Sequence, residues 1–375
     1  MKWLVAPNAF KGSLTASEAA AAISRGIHSA LPDVQIIEVP LADGGDGTAE
    51  VLLRALGGRL VTATVEDPLG RPISATYALV EDGKTAVIEM AAAAGLTLLT
   101  PDERNPLITS TYGVGQLIAH AVGMCVNEII VGIGGSATND GGAGAMQALG
   151  VRFLDSDGNE LGRGGAELLR LSHIDINRIR FPLGEVRLIV ASDVTNPLTG
   201  PEGASAMYGP QKGASAGDVE LLDSALRRYA SIIREQLGID VERIPGSGAA
   251  GGLGAGLAAV LHGDIQPGIE VVMQAVRFDE LLGGTNVVVT GEGKLDAQTS
   301  QGKVIAGVVR HARKFKIPVV AMVGRTEITT EQATALGLTR VVRIATTDIT
   351  VEEAMARAAE LLEAAARRWA MEFSA

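Results

Sequence analysis

The amino-terminal part of the sequence carries a lysine and a hydroxyl residue directly after a short apolar stretch. Lys11 and Ser13 flank a glycine there, and a helix-like segment follows them. A lysine, a hydroxyl and free backbone amides at a strand-to-helix turn can hold a phosphate group. The pattern therefore indicates a phosphate-binding turn, and an ordinary surface lysine is the alternative interpretation of Lys11.

A second segment, residues 42–47, places two carboxylates among glycines. Asp43 and Asp46 surround Gly44 and Gly45, just before another helix-like stretch. Two carboxylates on a glycine loop suit a hydrated Mg²⁺, which takes one or two carboxylates together with substrate phosphate. The glycines also let backbone amides approach an anion closely. The alternative is structural, because either aspartate can cap the helix that follows.

Two later segments also place polar side chains after an apolar, strand-like stretch. Asp193 and Asn196 belong to one of them, and Gly291, Gly293 and Asp296 belong to the other. Ligands of open α/β sheets bind at the carboxyl ends of strands. Phosphoryl transfer needs a metal ion and cations to spread charge, and a carboxylate to accept the hydroxyl proton. Together the four segments supply each of these parts.

The elements that position these segments follow an α/β rhythm at both ends of the chain. Residues 3–6 and 34–39 are strand-like, and a helix-like stretch follows each of them. Residues 60–90 instead form β-rich runs separated by turn residues, which predicts antiparallel hairpins. The last third of the chain returns to buried strands alternating with helices. Its predicted elements are strands at 287–290 and 319–323 and helices at 304–314 and 351–369.

We therefore expect an α/β fold of two α/β domains, one inserted in the other. The first is a Rossmann-like or flavodoxin-like parallel-sheet domain made of residues 1–60 and 285–375. The second is a mixed α/β domain made of residues 61–284. The length of 375 residues fits two domains.

The composition excludes several classes of partner. The chain has 43 acidic and 32 basic residues, a net charge of −11, and aromatic residues make up only 3% of it. Such a chain lacks the basic face and the stacking platform of a nucleic-acid binder, and it is repelled by anionic membranes. The single Cys125 excludes a disulfide framework and a multi-cysteine metal site.

The sequence also predicts a cytoplasmic location. The amino terminus lacks the basic start, apolar stretch and cleavage site of a signal peptide. The longest weakly charged apolar run, residues 86–99, contains Glu89 and is shorter than the ~18 residues that a membrane span needs. The oligomeric state is left open, with a homodimer as the alternative to a monomer.

Several motifs of the sequence, in order and in register, resemble the bacterial type 1 glycerate kinase family. The resemblance extends over essentially the whole chain. The motifs are residues 11–14, 42–47, 67–72, 132–142, 192–198, 209–214, 246–254 and 291–303. Asn8 stands where many relatives carry an aspartate, and Ile305 stands where relatives often have proline.

This resemblance implies an ATP- and Mg²⁺-dependent transfer of a phosphoryl group to D-glycerate, with 2-phosphoglycerate favoured over the 3-phospho product. It also implies a site in the cleft between two α/β domains, which would close on the substrate to exclude water. The partners expected are therefore small molecules. A kinase for a related hydroxy acid, such as tartronate or a sugar acid, is the nearest alternative.

The placement of the loops, together with the resemblance for the reaction itself, assigns roles to the polar side chains. Asp193 or Asp296 would accept the hydroxyl proton, while Asp43 and Asp46 would position Mg²⁺. The phosphate-binding groups would be Lys11, Ser13 and the amides of Gly44, Gly45, Gly291 and Gly293. The candidates for clamping the glycerate carboxylate are Arg71, Lys212 and Arg325, and Asn196 is a further candidate for substrate or phosphate binding. A surface or interdomain salt bridge is the alternative for each arginine.

A dehydrogenase is the second enzyme class considered. Residues 132–137 fit the Gly-x-Gly-x-x-Ala pattern of dinucleotide-binding turns. The pattern needs an acidic residue ~20 positions later on a second strand, and Asp155 and Asp157 lie near that distance in a turn-like stretch. A nicotinamide-dependent dehydrogenase is therefore the weaker alternative.

Overall fold

The computed structural model describes residues 1–296, 303–345 and 349–374. The chain divides into two compact units. The first unit is Met1–Asp43, Glu50–Ala55 and Ile269–Ala375, and the second unit is Gly44–Ala49 and Leu56–Gly268. The domain division at residues 60 and 285 stays a prediction.

Strands and helices alternate along the chain. The strands are β1 Lys2–Val5, β2 Gln35–Glu38, β3 Gly58–Glu66, β4 Pro72–Val80, β5 Thr85–Glu89, β6 Glu128–Gly132, β7 Arg152–Leu154, β8 His173–Asp175, β9 Arg187–Ala191, β10 Asp264–Gln266, β11 Val287–Leu295, β12 Val319–Thr326 and β13 Arg340–Arg343. The α-helices are α1 Ala16–Ala30, α2 Thr48–Leu56, α3 Ala91–Ala94, α4 Tyr112–Gly123, α5 Ala143–Ala148, α6 Ala204–Tyr208, α7 Ala216–Leu237, α8 Ala249–Leu261, α9 Gly268–Ala275, α10 Phe278–Leu282, α11 Val304–Lys314, α12 Thr330–Leu336, α13 Val351–Ala356 and α14 Ala358–Ser374.

The first unit is built on a five-stranded parallel sheet in the order β13-β12-β11-β1-β2. Trp3, Leu4 and Val5 of β1 are fully buried, as is typical of a parallel strand covered on both faces. Trp3 packs against Trp369 of α14 with ring centroids 5.0 Å apart. The parallel-sheet prediction for this part of the chain is confirmed.

Helices α1 and α14 pack closely against each other in the first unit. Thr15 begins α1 with a capping box, in which its side chain and that of Glu18 each accept a backbone hydrogen bond. Gly26 lies at the contact with α14, where a Cβ atom would come within 2.2 Å of the Glu363 carbonyl oxygen. Only glycine allows the two helices to approach this closely.

The second unit contains a six-stranded mixed sheet in the order β10-β9-β6-β5-β4-β3. Strands β3, β4 and β5 pair antiparallel, and β5, β6, β9 and β10 pair parallel. The predicted hairpins are therefore confirmed. Strands β7 and β8 form a separate two-stranded antiparallel sheet.

Strand β11 is longer than the sequence predicts. We expect a strand at 287–290 followed by a loop, but β11 continues to Leu295 and pairs with β12 from Val288 to Leu295. A Cβ atom at Gly291 would lie 2.4 Å from the Met322 carbonyl oxygen. The glycine is needed here for close strand contact and not for a turn, so the loop prediction for residues 291–295 is wrong.

The predicted carboxyl-terminal helix is two helices. Helix α13 ends at Ala356 and α14 begins at Ala358, with Arg357 at φ −107° between them. The Arg357 guanidinium binds Glu353 on one side and Glu360 on the other. The prediction of one continuous helix over 351–369 is wrong because helical periodicity alone does not register a break at one residue.

In the part of the chain that the structure describes, no helix combines the length and the apolar character needed to cross a membrane. Cys125 is exposed as a free thiol.

Candidate functional site

The turn after β1 carries Lys11 at its tip. Phe10 and Leu14 close the turn, with the Phe10 amide donating to the Leu14 carbonyl at 2.9 Å. The Ser13 hydroxyl donates to the Phe10 carbonyl oxygen at 2.8 Å, and Gly12 adopts φ +80°. Lys11 is exposed, so the turn presents an ammonium group to solvent beside a helix start.

Strand β11 lies directly beside this turn. The Asn8 amide donates to the Gly291 carbonyl at 2.8 Å. A Cβ atom at Gly293 would lie 3.6 Å from the Lys11 backbone nitrogen and 3.6 Å from the Phe10 Cα atom. The structure therefore brings together Lys11, Gly291 and Gly293, three residues that are far apart in the sequence.

Strands β11 and β12 add charged side chains to the same sheet edge. Arg325 pairs in register with Lys294, and the Lys294 ammonium lies 3.0 Å from Asp296 and 2.9 Å from Glu327. Hydrogen bonds with Glu327 and then with Asp296 raise the pKa of Lys294. Sequence reasoning missed Lys294, although it directly follows Gly293 in the quoted motif.

Arg325 is more exposed than Lys294, whose side chain is 36% exposed. Its side chain is 61% exposed, and its one ion pair in the described chain, with Glu327, is long at 3.9 Å. Glu292, between the two glycines of β11, is by contrast a buried carboxylate. Residues 298, 299 and 302 of the same motif lie outside the described residues.

In the second unit, the glycine loop before α2 lies against the carboxyl ends of β6 and β9. Gly44 has φ +83°, and a Cβ atom there would lie 2.8 Å from the Ala191 carbonyl oxygen. A Cβ atom at Gly132 would lie 2.4 Å from the Gly44 carbonyl oxygen, and one at Gly134 would lie 2.8 Å from the Gly45 Cα atom. Side chains are excluded here by contact between backbones.

Glu89, at the end of β5, caps α2. Its Oε1 atom accepts hydrogen bonds from the Gly47 amide at 3.1 Å and the Ala49 amide at 2.8 Å. Gly47, the residue before the helix, is a glycine and has no side chain that could cap it. The Asp46 carboxylate is exposed, and its Oδ1 atom lies 3.4 Å from where a Gly135 Cβ atom would stand. Because Glu89 supplies the cap, Asp46 is available for another role.

Asp193 and Asn196 follow β9. The Asn196 side chain donates to the Glu202 carbonyl at 2.8 Å and accepts from the Tyr208 hydroxyl at 2.7 Å. Asp193 is half-buried. Asn196 therefore holds the loop after β9 in place, next to a candidate base.

Lys212 is buried, with an exposed fraction of 1%. It ends a 3₁₀ turn, Pro210–Lys212. Its ammonium group donates to the Ser136 hydroxyl at 2.6 Å and to the Thr138 carbonyl at 2.7 Å. Burial lowers the pKa of Lys212 to about 7, although the charge of Asp140 acts in the opposite direction.

Asp140 is a fully buried carboxylate in the same glycine-rich loop, and sequence reasoning missed it. Its oxygens accept from the Thr111 amide at 2.8 Å, the Gly142 amide at 3.1 Å and the Gly144 amide at 3.2 Å. Burial raises the pKa of Asp140, and these hydrogen bonds offset part of that effect. The one signal in the sequence was an acidic residue between the glycines of residues 132–144.

Arg71 lies on the turn between β3 and β4. Its guanidinium binds Asp67 at 2.5 Å and Glu103 at 2.5 Å. Hydrogen bonds with Glu103 and then Asp67 raise the pKa of Arg71. The salt bridge considered as an alternative is present, with both partners in the second unit.

The predicted residues thus form groups within each unit. In the first unit, one sheet edge collects Lys11, Ser13, Gly291, Gly293, Asp296 and Arg325. In the second unit, Gly44, Gly45 and Asp46 lie at the carboxyl ends of β6 and β9, where the loop containing Asp193 and Asn196 also begins. Lys212 supports the loop after β6, and Arg71 belongs to a separate turn. Asp43 is half-buried, and it is the last residue of the first segment of the first unit.

The geometry does not favour a dinucleotide turn after β6. Helix α5 begins only at Ala143, and its preceding residue, Gly142, has φ +78°. Asp155 accepts hydrogen bonds within its own turn and pairs with Arg170. The glycine loop therefore lacks the adjoining helix that binds a pyrophosphate in dehydrogenases.

Comparison with known proteins decides the family. The family model described as the glycerate kinase family matches residues 3–374. The chain belongs to the glycerate kinase family. This membership confirms the prediction of a phosphotransferase that acts on an alcohol group.

Individual relatives agree with this assignment. The chain is 46% identical to a glycerate kinase of Halalkalibacterium halodurans, over 98% of this chain and 97% of the relative. It is 47% identical to the glycerate 2-kinase of Escherichia coli K12, over 86% of this chain and 85% of the relative. A crystal structure assigned to glycerate kinase 2 of Salmonella typhimurium LT2 matches with a TM-score of 0.89 and 44% identity. That match covers 100% of this chain and 98% of the other.

Proposed function

We propose that this protein transfers the γ-phosphoryl group of ATP to a hydroxyl of D-glycerate, and that 2-phosphoglycerate is the product. The observation that carries the proposal is the sheet edge of the first unit, where the Lys11 backbone lies beside Gly293 and Arg325 pairs in register with Lys294. Lys294 is paired with Asp296 and Glu327, so Lys11 and Arg325 are the cations that would meet a substrate bearing phosphates and a carboxylate. The relatives are a glycerate kinase and a glycerate 2-kinase, which supports glycerate as the acceptor.

Lys11 is the residue that we propose to contact the transferred phosphoryl group. It stands at the tip of a turn, exposed, and beside Gly293. Ser13 and the backbone of Gly291 and Gly293 complete the phosphate-binding surface of the first unit. In the second unit, the amides of Gly44 and Gly45 are proposed to play the same part.

Arg325 is the proposed clamp for the glycerate carboxylate. It is the most open of the three candidates, since Lys212 is buried and Arg71 already binds two carboxylates. A guanidinium also matches a carboxylate through two parallel hydrogen bonds.

Asp296 and Asp193 remain the two candidates for the group that receives the hydroxyl proton. Asp296 is paired with Lys294 at 3.0 Å. Because phosphoryl transfer proceeds through a loose transition state, orienting the hydroxyl matters more than base strength. Either aspartate would serve by holding that hydroxyl in line with the phosphoryl group.

Asp43 and Asp46 are the two carboxylates that we propose would hold Mg²⁺. The ion binds proteins through one or two carboxylates and takes its remaining ligands from water and substrate phosphate. Among the described residues there is no group of three or more His, Cys, Asp or Glu side chains that suits a metal, so a pair of carboxylates in one loop is the relevant donor set. When bound, Mg²⁺ neutralises phosphate charge.

A reaction of ATP with D-glycerate, followed by phosphorus NMR, tests the proposal. We expect a new phosphate monoester resonance that couples to the proton on carbon 2. Coupling to the methylene protons on carbon 3 would instead identify the 3-phospho product. Absence of turnover with D-glycerate, together with turnover of tartronate or a sugar acid, would assign the enzyme to a related hydroxy acid.

A further inference from the structure

The second unit contains a cavity of about 640 Å³ that none of the predicted site residues lines. It is bounded by the start of α4, the residues after α5, strand β7 and the segment around Arg178. Its volume falls within the range of small-molecule sites. The cavity is therefore separate from the phosphate-binding loops.

The cavity is basic in an acidic protein. Four of its lining residues are arginines, and one, Glu160, is acidic. In the chain as a whole acidic residues outnumber basic ones, 43 to 32. Four guanidinium groups around one cavity repel each other unless negatively charged groups lie close to them.

Two of the arginines already have acidic partners. Arg152 binds Glu160 and lies 3.8 Å from Asp175. Arg163 binds Glu66 and also stacks over the ring of Tyr112, with its Cζ atom 3.5 Å from the ring centroid. These two groups form a neutralised wall of the cavity.

The other two arginines have no carboxylate partner among the residues that the structure describes. Arg178 is exposed and has no ion pair there. Arg180 donates one hydrogen bond, to the Ala148 carbonyl at 3.1 Å. Both guanidinium groups therefore keep free N–H donors beside the cavity.

The backbone holds these two arginines in place. The Arg180 amide donates to the Leu149 carbonyl at 2.7 Å. Gly150 has φ +95°, and a Cβ atom there would lie 2.4 Å from the Arg178 carbonyl oxygen. The backbone that carries the two arginines is thus fixed against the end of α5, and the Arg180 side chain is held by its hydrogen bond to Ala148.

The aromatic lining argues against a nucleotide. Arg163 covers one face of Tyr112, and Phe153 is 1% exposed. A base would find little open ring to stack on. We propose that this cavity binds a compact polyanion of the phosphorylated organic-acid or pyrophosphate type, through Arg178 and Arg180, at a site separate from the catalytic loops.

Calorimetric titration of the full chain with inorganic pyrophosphate, without Mg²⁺, tests this inference. We expect wild-type protein to bind two pyrophosphate ions. The Lys11→Met variant should keep the cavity site, and the Arg178→Gln/Arg180→Gln variant should keep only the other site. Loss of two charge-assisted contacts should weaken the cavity site by about 100-fold or more. Arg178→Glu, a single substitution at an exposed position, should likewise weaken the cavity site.

The matched control is Arg187→Gln, which removes an exposed arginine paired with Glu128 outside the cavity. It should bind like wild type. A titration of the Arg178→Gln/Arg180→Gln variant that superimposes on wild type would overturn the inference, as would tighter binding of AMP than of pyrophosphate at this site. Kinase activity of the same variant with D-glycerate should stay within twofold. The titration measures binding without turnover, so this test is independent of the proposed function.

Discussion

The Lys212 ammonium lies 2.6 Å from the Ser136 hydroxyl in a fully buried position. It also binds the Thr138 carbonyl, and the neighbouring Asp140 is held by the Thr111, Gly142 and Gly144 amides. Two buried groups of opposite charge therefore brace the glycine-rich loop between β6 and α5. Lys212, considered from the sequence as a ligand for the substrate carboxylate, occupies a supporting position instead, and a direct role for it stays a prediction.

The stability of the protein should depend on pH through Lys212. Its pKa in the folded state is about 7, below the ~10.4 of an unfolded lysine, so the unfolded state binds more protons between these values. Stability therefore rises with pH in this window. We expect wild type to gain about 2 kcal/mol relative to Lys212→Met between pH 7 and pH 9. Urea unfolding at pH 7, 8 and 9 measures this difference.

The control for this prediction is Lys84→Met, which removes an exposed lysine of the same unit. Its stability difference from wild type should not change with pH. Parallel pH dependences for the two variants would contradict the burial argument.

Replacing the candidate bases should separate their roles. We expect Asp193→Asn or Asp296→Asn to lower kcat by ~10² or more, because loss of proton acceptance or of charge stabilisation costs at least that much. Asp157→Asn is the control, since Asp157 is exposed in a turn after β7. Steady-state kinetics with ATP and D-glycerate measure the effect. If both site variants retain kcat within tenfold, neither aspartate has the proposed role.

Two arginines give a matched test of carboxylate binding. Arg325→Ala should raise KM for D-glycerate about tenfold or more, because it removes a charge-assisted pair. Arg325→Lys should recover only part of this loss, since lysine lacks the bidentate geometry. Arg71→Ala should leave this KM within about threefold, because Arg71 is engaged by Asp67 and Glu103. The reverse order of effects would make Arg71 the clamp.

The glycine loop before α2 gives a test of close packing. Gly44 and Gly47 both have positive φ, +83° and +93°, but only Gly44 has a neighbour within 4 Å of its Cβ position. Gly47→Ala should cost about 1 kcal/mol from backbone strain alone. Gly44→Ala should cost about 2 kcal/mol more, because the Ala191 carbonyl must move. Thermal unfolding of both variants measures this, and equal losses would show that the Ala191 contact is unimportant.

Local patterns in the sequence determined much of the fold. Apolar runs and helical spacing are local properties, so the parallel sheet, the hairpins and helices such as α2 and α11 were predictable. The glycine-rich segments were also visible, because glycine between packed elements marks turns and close backbone contacts. The same segments carried the resemblance to the glycerate kinase family.

Other features depend on contacts between residues far apart in the sequence, and only the tertiary structure decided them. The capping of α2 by Glu89, the burial of Lys212 and the continuation of β11 past Gly291 each need a partner that is distant in sequence. The sequence contains Lys11, Gly293 and Arg325, but only strand pairing brings them to one sheet edge. Likewise, the sequence shows that Arg178 is charged. Whether a carboxylate lies close enough to pair with it depends on the fold.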